Sequence, residues 1–131
     1  MPSIFTKIIN GEIPCYKIAE NKNCFAFLEI NPNSEGHTLC VLKKEIDKIF
    51  DLSENDYIEL MKFSRRVAFA IKKVVPCNRI GLSVIGLEVP HVHVHLIPLN
   101  EMTDAKFINK VKFTNHQFEK LAIEINKNFI K

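Results

Sequence analysis

Five short stretches of strand character, one long amphipathic helix and a second helix near the end predict an α+β fold built on an antiparallel sheet of about five strands. Three observations carry that prediction. "YKIAE" and "KNCFAFLEI" flank Asn21, a turn residue, and read as a hairpin. Tyr57, Leu60, Met61, Ser64, Val67, Ala68, Ile71 and Val75 recur at helical spacing and predict one long central helix. The strand–helix–strand alternation that a parallel sheet requires is missing.

The elements follow in order. Ser3 to Asn10 reads as a short N-terminal helix with Ser3 as its cap, and Gly11 and Pro14 end it. After the hairpin and the "NPNSEG" turn, "HTLCVL" reads as a third strand. Ser53 and Asp56 form a capping signature for the long helix, which Pro76 closes. "RIGLSVIG" and "HVHVHLIP" supply the remaining strands. Thr114 and Gln117 then form a capping box for an extra C-terminal helix, whose stripe is Phe118, Leu121, Ala122, Ile125 and Phe129. No repeat and no linker rich in glycine, serine or proline divides the chain, so residues 1–131 are expected to form a single domain.

Composition bounds the function. The chain has 131 residues, 25% of them charged, and a net charge of +3. Its basic residues are interleaved with acids, as in "KKEIDKIFD", which argues against a nucleic-acid partner. The longest apolar run is a few residues, and Lys7, Asn10 and Glu12 stand where a secretory signal needs an apolar stretch. No membrane association and a cytoplasmic location are therefore expected. Cys15, Cys24, Cys40 and Cys77 form no CxxC pair and read as reduced thiols.

His91, His93 and His95 alternate in "PHVHVHLIP". On a strand their rings share one face, about 6 to 7 Å apart, while Val92, Val94 and Leu96 point the other way. The apolar face is expected to pack inward and the histidine face to meet solvent or a ligand, because unpaired imidazoles are costly to bury. Three readings of the triplet stay open: an incidental polar face, a zinc-binding His-x-His pair, or covalent catalysis by one imidazole positioned by its neighbours.

The strings "SIFTKIINGEIPCYKIAE", "CFAFLEINPNSEGHTLCVLKKEIDKIFDL" and "VPHVHVHLIP", in this order, resemble the HIT (histidine triad) family of nucleotidyl hydrolases and transferases, in particular its small HINT-like branch. The resemblance covers residues 3 to about 98 and leaves 99–131 as a helical extension. It implies a HIT-like fold, a homodimer, and hydrolysis or transfer at the α-phosphorus of a purine nucleotide, with phosphoramidates as favoured substrates and no cofactor. By matched position His93 is the nucleophile, His95 contacts the phosphate, and His91 and His37 position the set and move protons. The nucleotide would be bound by Ile4, Phe5, Ile8, Ile13, Phe27, Glu29, Ile30, Ser83 and Gly86.

The chain also departs from the family pattern. Glu29 stands where relatives commonly carry an aspartate that holds the ribose hydroxyls. Leu87 and Glu88 follow Gly86 where a glutamine near the phosphate is common. Some bacterial members hold a structural zinc at positions where this chain has Ser3, Thr6 and Glu45, so no metal is expected. Cleavage of dinucleoside polyphosphates and a regulatory nucleotide-binding role with little turnover remain the alternatives. His116 reads as a surface residue at a helix start.

Overall fold

In the computed structural model, which describes residues 2–130, strands β1 (Lys17–Glu20), β2 (Cys24–Leu28), β3 (Thr38–Leu42), β4 (Arg79–Ser83) and β5 (His93–Leu99) form one sheet in the order β1-β2-β3-β5-β4. All four pairings are antiparallel. Helix α1 is Ile4–Ile9, the long helix α2 is Glu54–Val74, and α3 is Asn115–Lys127. This is the α+β architecture the sequence predicts.

The helix starts follow from side-chain chemistry. The Ser3, Ser53 and Thr114 hydroxyls accept hydrogen bonds from the backbone N–H of Thr6, Asp56 and Gln117, satisfying donors that the first helical turn leaves unpaired. Thr114 and Gln117 complete a reciprocal capping box. Pro76 follows the end of α2 closely, as a residue without an N–H must.

Strand alternation sorts the sheet into two faces. Cys24, Ala26, Leu28, Cys40, Leu42, Val94 and Leu96 point at α2 and α3 and share one core with Leu60, Phe63, Val67, Ile71, Phe118, Ala122 and Ile125. Phe25, Phe27, Leu39 and Val41 point the other way and pack with Phe5 of α1. β2 and β3 are therefore buried along their whole length. The inward stripe of α2 differs in part from the expected one: Phe63 and Ala70 are buried, whereas Tyr57 is 39% exposed. Burial of Phe63 stabilises the fold by about 1.5–3 kcal/mol, so the hydrophobic effect sets the face. Among the described residues no helix is long and apolar enough to cross a membrane.

Gly36 ends the turn before β3. Its φ is +91°, and an added Cβ would stand 2.9 Å from Val75 Cγ2, so both backbone geometry and space demand glycine beside His37.

Candidate active site

Register places the histidines. His93 pairs with Val41 and His95 with Leu39, so both rings join the face that carries Phe25, Phe27 and α1. That face is not open. His91, His93 and His95 are 0%, 7% and 8% exposed, so of the two settings expected for the histidine face, solvent or a ligand, open solvent is not the one observed. The physical reason is that each ring has partners, and a paired imidazole is tolerated in the interior. The rings of His93 and His95 are also closer than strand spacing implies, with centroids 5.0 Å apart.

His91 begins the chain of partners. It lies before the first paired residue of β5, its Nε2 2.7 Å from the Leu42 carbonyl and its Nδ1 2.7 Å from Ser3 Oγ. A carbonyl only accepts, so Nε2 carries the proton and Nδ1 accepts from the serine hydroxyl. The backbone carbonyl of His91 in turn lies 2.8 Å from His93 Nδ1. His93 therefore donates from Nδ1 and keeps the lone pair on Nε2.

The second chain starts at Asn33, whose backbone N–H donates to His37 Nδ1 at 3.0 Å. That bond assigns the His37 proton to Nε2, which stands 3.0 Å from His95 Nδ1. His95 thus accepts at Nδ1 and carries its own proton on Nε2. The adjacent imidazoles end up with opposite roles: His93 presents a lone pair and His95 an N–H.

Both rings border a cavity of about 510 Å³. Its walls include Ile4, Phe5 and Ile8 of α1, Ile13, Phe27 of β2, Glu29 and Ile30 after it, and Gly86. Leu87 and Glu88 form part of the rim, both exposed. Of the expected residues, Ser83 pairs with His95 in the sheet, and it, His37 and His91 do not border the cavity. Leu39, Asn31, Ile85, Val89 and Phe107 border it and were not anticipated. Leu39 had a signal, lying two residues beyond His37 on the same strand face. Phe107 had none, because it lies outside any helical or strand periodicity.

Burial sets the charge state of the site. It pulls His37 down to about 3 and His95 to about 4, with the neighbouring imidazoles and Lys110 adding to the effect, and it also lowers His93. All three are neutral near pH 7. Glu29 is shifted the opposite way, above the usual carboxylate range, because burial outweighs the Asn31 N–H that its Oε1 accepts at 3.1 Å.

Ser3, Thr6, Glu45 and His91 also come together. Thr6 Oγ1 donates to Glu45 Oε1 at 2.8 Å, and the Ser3 backbone N–H donates to the same oxygen. These groups do not fit a zinc ion. Two hydroxyls replace thiolates, and Ser3, Thr6 and His91 already hydrogen-bond within the cluster.

Two hydrogen-bonded histidine chains thus meet side by side at one cavity, with the His93 and His95 rings 5.0 Å apart. Residues 10–102 match the HIT domain. The chain belongs to the HIT family. This HIT domain is 31% identical over 134 residues to an uncharacterised HIT-like protein of Borreliella burgdorferi, covering 95% of this chain and 96% of that one. It is 39% identical to the adenosine 5'-monophosphoramidase of Saccharomyces cerevisiae, over 72% of this chain and 61% of the yeast protein. Its fold matches that of a HIT-like protein of Bartonella henselae with a TM-score of 0.84 at 27% identity, covering 96% and 95% of the two chains.

Proposed function

We propose that this HIT domain hydrolyses a purine nucleoside monophosphate joined to an amine, acting at the α-phosphorus through a nucleotidyl-His93 intermediate. The observation that carries the reading is the bond from His93 Nδ1–H to the His91 carbonyl, which leaves a neutral Nε2 lone pair beside the cavity. The yeast relative named as an adenosine 5'-monophosphoramidase supports the substrate class.

Nε2 of His93 attacks phosphorus, forming an N–P bond as the substrate's P–N bond breaks. The amine leaves with that electron pair and a proton supplied by solvent water. Water then attacks phosphorus, the Nε2–P bond breaks, and the proton released replaces the one the amine took. His95 Nε2–H stabilises a phosphoryl oxygen throughout, and the His37 N–H bonded to Nδ1 keeps it in that tautomer. The apolar wall of Ile4, Phe5, Ile8, Ile13, Phe27 and Ile30 takes the base, and Glu29 takes the ribose hydroxyls. Gly86, with φ +70°, lets the rim backbone approach the phosphate. Ser83, directly opposite His95 in the sheet, shares its face and supports the phosphate end of the site from β4.

Glu88 on the rim disfavours further phosphates by like-charge repulsion, which ranks dinucleoside polyphosphates below phosphoramidates. β4 is an edge strand with Leu82 50% exposed, a surface suited to a homodimer. Phe118, Ala122 and Ile125 of α3 share the main core, which supports reading the C-terminal extension as part of a single domain. Four free thiols, two of them buried, suit a reducing cytoplasm.

The test uses His93→Ala. Turnover of an adenosine phosphoramidate is expected to fall by about a thousandfold or more, with AMP affinity changed less than threefold. Retention of wild-type turnover would exclude His93 as the nucleophile. Parallel assays with a diadenosine polyphosphate rank the substrates, and AMP binding without turnover on either would favour a regulatory module.

A further inference from the structure

The family match ends at residue 102, yet the segment that follows reaches the reacting centre. The ring of Phe107 lies 5.0 Å from that of His95 and 6.0 Å from that of His37, near-perpendicular to both, and borders the cavity. Phe5 holds the corresponding place at the other end, 4.9 Å from His93 and 5.8 Å from His91. The histidine row is thus closed by an aromatic ring at each end, one from α1 and one from the segment after β5.

Phe107 sits in no regular element, so its position needs another cause. Val111 N–H donates to the Pro32 carbonyl at 3.0 Å, and Asn33 Nδ2 donates to the Asp104 carbonyl at 3.1 Å. Lys110 Nζ donates to Asn33 Oδ1 at 2.6 Å while lying 4.8 Å from the centre of the Phe107 ring, a cation–π distance. Asn33 is 4% exposed and is the residue whose backbone N–H fixes the His37 tautomer. A single side chain therefore anchors the segment that covers the pair its own backbone orients.

We propose that Phe107, held by Asn33 and Lys110, is a positioning residue of the reaction: it walls the His95 end of the cavity and keeps water off the His37–His95 hydrogen bond. This rests on the proposed chemistry at His93. Water exclusion favours the neutral form of both rings, and the Lys110 cation acts in the same direction. The charged or titratable groups facing the pair are His93 and Lys110, whereas Glu29 and Glu88 face His93. Without the Phe107 ring, water reaches the pair and protonation becomes easier.

The experiment is an imidazole nitrogen NMR titration of the full chain, without substrate, for wild type, Phe107→Ala and Phe107→Leu. In Phe107→Ala the His37 and His95 midpoints are expected to rise by a pH unit or more, whereas Phe107→Leu, which keeps an apolar wall, rises by less than half of that. The acid limb of kcat for an adenosine phosphoramidate should move up with them while KM changes less than threefold. Unmoved midpoints in a folded Phe107→Ala protein overturn the proposal. Should that variant not fold, Asn33→Ala decides, because it removes both side-chain bonds that hold the segment while its backbone N–H stays on His37: raised midpoints support the proposal and unmoved ones overturn it. Midpoints are read without turnover, so an inactive wild type would count against the chemistry at His93 and leave the role of Phe107 to the titration.

Discussion

His37 Nε2 stands 3.0 Å from His95 Nδ1, and the proton between them belongs to His37 because the Asn33 backbone N–H already occupies its other nitrogen. Two imidazoles 5.2 Å apart, centroid to centroid, cannot both be cationic in a buried site without strong repulsion. The arrangement is consistent only when both are neutral, one donating and one accepting. That requirement ties the state of the site to the stability of the fold.

Stability is therefore expected to fall on acidification. In the unfolded chain His37 and His95 bind protons as pH drops through about 6.5, whereas the folded chain binds them only near about 3 and about 4. Between those values the unfolded state carries more protons, so unfolding free energy declines by about 1.4 kcal/mol per pH unit for each ring, with nothing lost above pH 7. Urea unfolding at pH 7, 6 and 5 measures the slope. His37→Leu with His95→Leu should flatten it, and an unchanged slope in that double variant would show that other groups cause the acid sensitivity.

Much of this was legible in the sequence because its causes are local. Helix caps at Ser3, Ser53 and Thr114 depend on residues three apart, and the strand period puts His93 and His95 on one face whatever the rest of the chain does. The burial of that face was not legible, since it depends on Leu42, Ser3 and Asn33, residues 49, 88 and 4 positions from the histidines they hold. Periodicity finds which side a residue points to; it does not find what arrives there. Phe63 shows the same limit on α2, where several rotations of the stripe are apolar and packing against the sheet chooses one. Phe107 is the extreme case, placed by Asn33 from more than seventy residues away.

Ser3→Ala tests the clamp on His93, the proposed nucleophile. The hydroxyl caps α1 and also supplies the donor for His91 Nδ1, which is fully buried. Losing the cap costs about 1 kcal/mol, and stranding a buried acceptor about 1–3 kcal/mol. A combined loss of about 2–4 kcal/mol is expected in urea unfolding, and kcat should fall, because the His91 carbonyl that orients His93 loses a fixed ring behind it. Ser3→Thr keeps the hydroxyl and should recover most of both. A loss below about 0.5 kcal/mol in Ser3→Ala would mean that His91 is held by Leu42 alone.

Glu29 gives the ribose its partner in the proposed reading, and its burial gives that role a pH signature. Only the ionised carboxylate accepts from two hydroxyls at once; the protonated acid loses one of those acceptor sites to its own O–H. Since burial holds this group above the usual carboxylate range, AMP affinity should begin to fall at a higher pH than an exposed glutamate would allow. Glu29→Gln should weaken AMP by about tenfold at pH 7, the scale of one charge-assisted hydrogen bond, and should remove that pH dependence. The control is the 2',3'-dideoxy nucleotide, which offers no hydroxyl: its affinity should be the same for wild type and variant. Calorimetric titration of both nucleotides with both proteins completes the cycle. Equal losses for the two nucleotides would place Glu29 in the wall of the cavity without a bond to the sugar.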